Sequence, residues 1–142
     1  MSMTNEQKAI VQETFALVPD ADALALRFYD NLFELDPTTK PMFKGDMREQ
    51  RMKLMQTLAV VVNNLNTFDT IVSAIESLGK RHVDYGVTVD HWHSVGAALL
   101  MTLKDIFGDA FTAEVEEAWS AAYHAIAQTA INATYSVDIE AS

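Results

Sequence analysis

The sequence contains no cysteine. That excludes disulfides, thiolate metal sites, iron–sulfur clusters and cysteine nucleophiles, and it fits a reducing compartment. Proline and glycine are sparse, at three and five residues, and β-branched runs are short, so a turn-rich β architecture is excluded and helices are expected almost throughout. Positive charge is scarce. Ten Lys and Arg face twenty Asp and Glu, a net charge of −10. A nucleic-acid binder needs clustered positive charge, and docking on anionic lipid needs the same; neither partner is expected. Long apolar runs are missing too. The longest, Val95 to Met101, has seven residues and includes a glycine, far short of the ~18 that mark a membrane-spanning helix. The start, MSMTNEQK, has neither a basic stretch nor an apolar one, so it does not read as a secretory signal, and a cytoplasmic location is expected.

What is present is globular. Hydrophobic residues make up 49% and charged residues 21% of 142 residues, the composition of one folded domain at roughly 100–200 residues each. A chain of this size buries on the order of 68–70% of its unfolded surface, enough for a core and an enclosed ligand. There is no internal repeat. The small, acidic residues Ser136 to Ser142 are expected to fray.

Thr4 with Gln7 forms a capping box. It opens a helix carrying Ile10, Val11, Thr14, Phe15 and Val18 inward as far as Pro19. Asp20 caps a second helix, with Leu24, Phe28, Tyr29, Leu32 and Phe33 at helical spacing. Asp36-Pro37 ends it, and Pro37 suits the first turn of a short third helix. Pro41 and Gly45 break the chain again. A long helix follows from about Met47 to Leu65, with Leu54, Met55, Leu58, Val61, Val62 and Leu65 on one face. The next starts at Thr67 or Asp69, holds Ile71, Val72, Ile75 and Leu78 inward, is interrupted at Gly79 and ends near Gly86. Asp90 caps a helix with Val95, Leu99, Met101, Leu103 and Ile106 inward, closed by Gly108. Thr112 caps the last, with a stripe of Val115, Trp119, Tyr123, Ile126 and Ala130. The fold class is all-α, with six or seven helices and a C-terminal antiparallel hairpin.

A few residues stand out on these faces. His82 continues the apolar stripe of Ile71, Ile75 and Leu78, so it is either a core histidine bonded to a backbone carbonyl or a metal or haem ligand. Gln50 lies on the face of Leu54 and Leu58. A buried amide without a partner costs about 1–3 kcal/mol, so Gln50 either reaches solvent at the stripe's edge or serves a ligand. Tyr29 poses the same choice, as core ring or ligand-facing hydroxyl. His91 and His93 are two apart and do not share a helical face, so exposed or capping roles are expected. His124 is expected at the surface, and the methionines as core filler. No inward carboxylate pair, phosphate-cradling glycine loop or catalytic triad is evident.

Together these pieces resemble a globin, of the single-domain bacterial type similar to the haem domain of flavohaemoglobins. The segment FYDNLFELDPTTKPMF, Phe28 to Phe43, is similar to the family's second helix, proline turn and signature Phe. LGKRHVDYGV, Leu78 to Val87, is similar to the stretch around the proximal His. The segment from His91 through Tyr123, with AWSAAY near its end, is similar to the last two helices. The resemblance covers about residues 4–135. It implies a globin fold of six to eight helices packed around a haem pocket, with haem b as the cofactor and His82 as the iron ligand. Phe43 then packs flat on the haem, and Gln50 and Tyr29 face the bound gas. Leu54 walls that side, Lys53 reaches a haem propionate, and Val87, Trp92 and Val95 touch the ring. O2, NO or CO are the implied ligands.

Two positions depart from the flavohaemoglobin pattern. The Tyr and Glu that anchor the proximal His in that family fall here on Trp92 and Thr134. His82 is therefore expected to be a neutral imidazole, with O–O cleavage less favoured. The resemblance points first to reversible O2 binding. The alternatives are nitric oxide dioxygenation or related redox chemistry with an external reductase, a gas-sensing module of a larger signalling protein, and a haem-free interaction domain.

Overall fold

The computed structural model describes residues 3–43, 45–84 and 88–131, the last four of the middle stretch by backbone alone. Six α-helices appear among them: α1 (Asn5–Ala16), α2 (Ala21–Leu35), α3 (Met47–Asn63), α4 (Val72–Asp84), α5 (Val89–Phe107) and α6 (Ala113–Ile131). Short 3-10 turns occupy Pro37–Met42, Leu65–Thr70 and Gly108–Ala110, and the described residues contain no strand. No helix among them is long and apolar enough to cross a membrane.

Local chemistry sets most boundaries. The Thr4–Gln7 capping box is formed in full. The Asp20 carboxylate accepts from the amides of Asp22 and Ala23 and starts α2. Asp36 ends α2 and accepts from Thr38 N–H, opening the turn at Pro37. Gly108 turns the chain between α5 and α6 with φ of 56°, the only positive φ among the described residues, and Thr112 Oγ1 accepts from Val115 N–H at the start of α6.

Several expectations are corrected. α1 ends at Ala16, three residues before Pro19, where Leu17 closes it. Pro41 does not break the turn but lies inside it, because the fixed φ of proline, about −65°, matches 3-10 geometry. The cap of α5 is Thr88, not Asp90, with its N–H donating to His91 Nδ1 at 3.0 Å. Met52 and Met101 are 57% and 40% exposed rather than core filler; each sits roughly opposite its helix's inward face. Thr102 takes the inward place on α5 instead. It is fully buried, accepts from Asn31 Nδ2 at 3.0 Å and donates to the Ala98 carbonyl at 2.7 Å. Its hydroxyl is tolerated in the core because α2 supplies the partner.

Gly79 does not interrupt α4; the helix runs through it. A Cβ there would stand 2.7 Å from the Ala130 carbonyl oxygen. Glycine lets α4 lie directly against the backbone of α6. Gly96 does the same for a side chain, since its Cβ would meet the Tyr123 ring at 2.7 Å.

The main packing pairs are α2 with α5, α1 with α6, α4 with α6 and α2 with α3. Leu24, Leu32, Leu65, Leu103 and Val11 are fully buried at the centre. Trp119 Nε1 donates to Thr14 Oγ1 at 2.7 Å and ties α6 to α1. By contrast, α3 and α4 scarcely pack against each other among the described residues. A cavity opens in the space between them.

Two surface carboxylates brace α2 against its surroundings. Hydrogen bonds from Arg27 and then Asn31 hold Asp105 below the usual carboxylate range. Hydrogen bonds from the hydroxyls of Thr38 and then Ser94 do the same for Asp36. A lowered folded value means that the unfolded state binds more protons as the medium is acidified. The stabilisation is therefore present above the unfolded value of about 3.9 and is lost as pH falls through the lower folded value. Urea denaturation is expected to show Asp36→Asn/Asp105→Asn less stable than wild type at pH 7, with a flatter loss between pH 5 and 3.

Candidate functional site

A cavity of about 520 Å3 opens between α3 and α4, bounded by α2, the Pro37–Met42 turn, α5 and α6. Its lining is mostly apolar. From α3 come Gln50, Lys53, Leu54, Thr57, Leu58 and Val61; from α5 and α6 come Trp92, Val95, Leu99, Tyr123 and Ile126. Volume and lining are in the range for cofactor sites, about 300–1,000 Å3 with a few placed polar groups.

The Tyr29 ring is held by aromatic neighbours. Phe28 and Phe43 meet it edge-on, with centroids at 5.1 and 5.3 Å, and Phe33 lies at 5.9 Å. These contacts fix where the hydroxyl points. Burial raises its pKa above the ordinary 10, and a hydrogen bond from the Gln50 side chain pulls the other way. The phenol therefore keeps its proton through the physiological range. Tyr29 comes from mid-α2 and Gln50 from the first turns of α3. The chain reversal across the proline turn brings them together.

Of the residues singled out in the sequence, Tyr29, Phe43, Gln50, Lys53, Leu54, Trp92 and Val95 all line this one cavity. Phe43 is half-buried, and the Lys53 side chain is 65% exposed, which puts it at the rim. His82 lies near the C-terminal end of α4, one helical turn after the cavity residue Leu78. Its side chain lies outside the described residues, as do Val87, Thr134 and residues 136–142. No cluster of three or more His, Asp or Glu suited to a metal ion occurs among the described residues.

The structure adds residues that the sequence reading did not assign to a ligand. Leu58, Val61, Leu99 and Ile126 line the cavity, and their helical spacing from Leu54, Val95 and Tyr123 could have marked them. His91 has the expected capping role but also borders the cavity. With Nδ1 accepting from Thr88, the neutral ring carries its proton on Nε2, 3.2 Å from Thr38 Oγ1. It thereby joins the start of α5 to the turn that carries Phe43. Tyr123 donates its hydroxyl to the Trp92 carbonyl, and burial pushes its pKa up. His124 is exposed, as expected.

Comparison with known proteins gives these features a lineage. Residues 26–130 match the family model for Globin. A flavohemoprotein of Vibrio cholerae is 32% identical over 134 residues, covering 92% of this chain and 34% of the relative. The chain thus spans about a third of the length of such relatives. Among solved structures, a bacterial globin from Campylobacter jejuni superposes with a TM-score of 0.81 at 27% identity, covering 96% of this chain and 99% of that one. An engineered carbene transferase, described as a putative nitric oxide dioxygenase from Rhodothermus marinus, shares the fold with a TM-score of 0.83 at 22% identity, over 99% and 100% of the two chains. With the family model spanning most of its length, and the helices enclosing an apolar cavity between α3 and α4, the chain belongs to the globin family.

Proposed function

We propose that the cavity between α3 and α4 holds haem and that the protein binds a diatomic gas, O2 first among them, reversibly. The observation that carries this reading is that the Tyr29 hydroxyl and the Gln50 side chain stand together at the wall of an otherwise apolar cavity. The residues present fit the group. Two helices that scarcely touch leave a slit with apolar walls for the ring faces, and Lys53 at the rim suits the carboxylate edge. With no cysteine, thioether attachment is excluded, which favours haem b.

A haem iron in this slit supplies the site at which the gas binds. His82 is its proposed ligand, and Phe43, Val87, Trp92 and Val95 are proposed contacts of the ring. Tyr29 and Gln50, side by side at the cavity wall, each carry a donor, the phenolic O–H and the amide N–H, that can be offered towards the gas. Phe43, Leu54 and Val95 keep water out and so protect the reduced state. Trp92 stands where flavohaemoglobins carry the proximal Tyr. A neutral His82 then favours holding O2 over cleaving it, and any redox turnover depends on a separate reductase.

Absorption spectra of the haem-reconstituted chain test the reading. A Soret band, a five-coordinate ferrous form and a stable oxygenated spectrum are expected. No Soret band after haem addition would sink the proposal, and a six-coordinate ferrous form without added ligand would refute an open gas site.

A further inference from the structure

The charge of the chain is unevenly placed. The stretch from Lys40 to Lys53 holds five of the ten basic residues, Lys40, Lys44, Arg48, Arg51 and Lys53, against two acidic ones, a net of +3. The rest of the chain carries five basic and eighteen acidic side chains, a net of −13. Two of the five cations are matched: Arg51 binds Asp22 at 2.9 Å, and Lys53 lies 3.8 Å from Glu49. The other acid of the stretch, Asp46, accepts from the Arg48 amide and caps α3. Asp36, just before it, is engaged by Thr38 and Ser94. Lys40 and Arg48 are exposed and have no ion pair among the described residues.

The same stretch edges the main cavity, to which it contributes Met42, Phe43, Gln50 and Lys53. The densest negative charge, Asp105, Asp109, Glu114, Glu116 and Glu117, surrounds the turn from α5 to α6. Among the described residues, neither α3 nor the Pro37–Met42 turn packs closely on α6 or on the Gly108–Ala110 turn. Charges more than about 8 Å apart are largely screened at physiological salt. A partner touching Lys40 to Lys53 therefore meets local positive charge, not the net −10 of the chain. An acidic face complements it, and a protein seated there lies beside the cavity. Electron-transfer encounters bury little surface, below about 1,200 Å2 in total, so a single turn and the start of one helix offer enough.

We propose that Lys40 to Lys53 is the docking surface for an acidic protein that donates one electron to the group held in the main cavity. The electron step rests on the haem reading above, and the docking surface does not. In that step the reduced donor loses one electron, the ferric iron gains it and no atom is transferred.

A reduced, acidic two-iron ferredoxin serves as the probe. Stopped-flow absorbance follows its reduction of the ferric, haem-reconstituted chain at rising NaCl. Two negatively charged proteins that meet at random repel each other, and their rate rises with salt. Docking on Lys40 to Lys53 gives the opposite sign, a rate that falls by about tenfold between low and physiological salt. Lys40→Glu/Arg48→Glu should slow reduction at low salt by about tenfold and abolish that fall, with O2 release and the circular-dichroism melting curve unchanged. Lys8→Glu/Lys104→Glu changes the net charge equally outside the stretch and should slow reduction far less. A wild-type rate that rises with salt, or equal slowing in the two double variants, would overturn the proposal. Amide NMR of the chain with oxidised ferredoxin reads docking without haem. Perturbations centred on residues 40–53 without a Soret band uphold the docking surface and refute the haem reading. Perturbations centred elsewhere, with the Soret band present, refute the surface and leave that reading standing.

Discussion

Tyr29→Phe is expected to release O2 faster by several-fold to about tenfold, and Gln50→Leu to act in the same direction. The ring of Tyr29 packs against Phe28, Phe33 and Phe43, so the Phe variant keeps the aromatic cluster and removes only the oxygen. One net hydrogen bond contributes about 0.5–1.5 kcal/mol, which sets the size of the effect. The two changes should not multiply. Gln50 acts on the Tyr29 hydroxyl, so removing Gln50 also changes what the phenol meets. Residues sharing one network are coupled in this way, and the double variant is expected to fall short of the product of the single ones. Stopped-flow displacement of O2 by CO measures all three rates. Rates within a factor of about two of wild type in both single variants would mean that neither residue supplies a net hydrogen bond of that strength.

Gly79→Leu should be the most damaging of simple substitutions. The first added carbon already meets the Ala130 carbonyl at 2.7 Å, and that obstacle is backbone, not a side chain that can swing aside. Overpacking of this kind costs typically about 1–3 kcal/mol and occasionally more. The gain in helix propensity over glycine, about 1 kcal/mol, offsets only part of it. At 142 residues, a net loss of about 1–2 kcal/mol lowers Tm by roughly 5 °C. The displacement should also reach function, because α4 carries both Leu78 and His82; haem retention is expected to fall in the variant. Gly45→Ala is the control. Nothing lies within 4 Å of a Cβ at Gly45, and its Tm should stay near that of the wild type. Thermal unfolding followed at the Soret band and by circular dichroism checks both effects.

The fold was legible wherever its cause is local. The capping box at Thr4, the carboxylate at Asp20, the Asp36-Pro37 break and the Gly108 turn each act within a few residues, and each stands in the structure where the sequence puts it. What escaped depends on two segments meeting. Gly79 reads as an interruption until Ala130 is known to lie against it. Thr102 does not stand out in the sequence, and its place in the core depends on Asn31 as partner. At the start of α5, Thr88 and Asp90 are both good caps, and His91 decides between them by accepting from the Thr88 amide.

The site follows the same division. Helical spacing puts Gln50 on the face of Leu54 and Leu58, and the three do line one cavity. That Gln50 shares this cavity with Tyr29, twenty-one positions earlier in the chain, follows from the path of the backbone round the proline turn. No periodicity contains it. His91 was expected to be exposed or to cap, and it does cap α5, but its contact with Thr38 and its place beside the cavity depend on α5 lying close to that turn.

The bond between Thr14 and Trp119 spans 105 positions, and it has a meaning for synthesis as well as stability. α1 leaves the ribosome before the other described helices, but its apolar face, centred on Val11, rests largely on α6. It must wait, unburied, until nearly all the described chain has been made. A growing chain that stalls before α6 therefore displays an unpaired amphipathic helix, the kind of surface that chaperones hold and neighbouring chains capture.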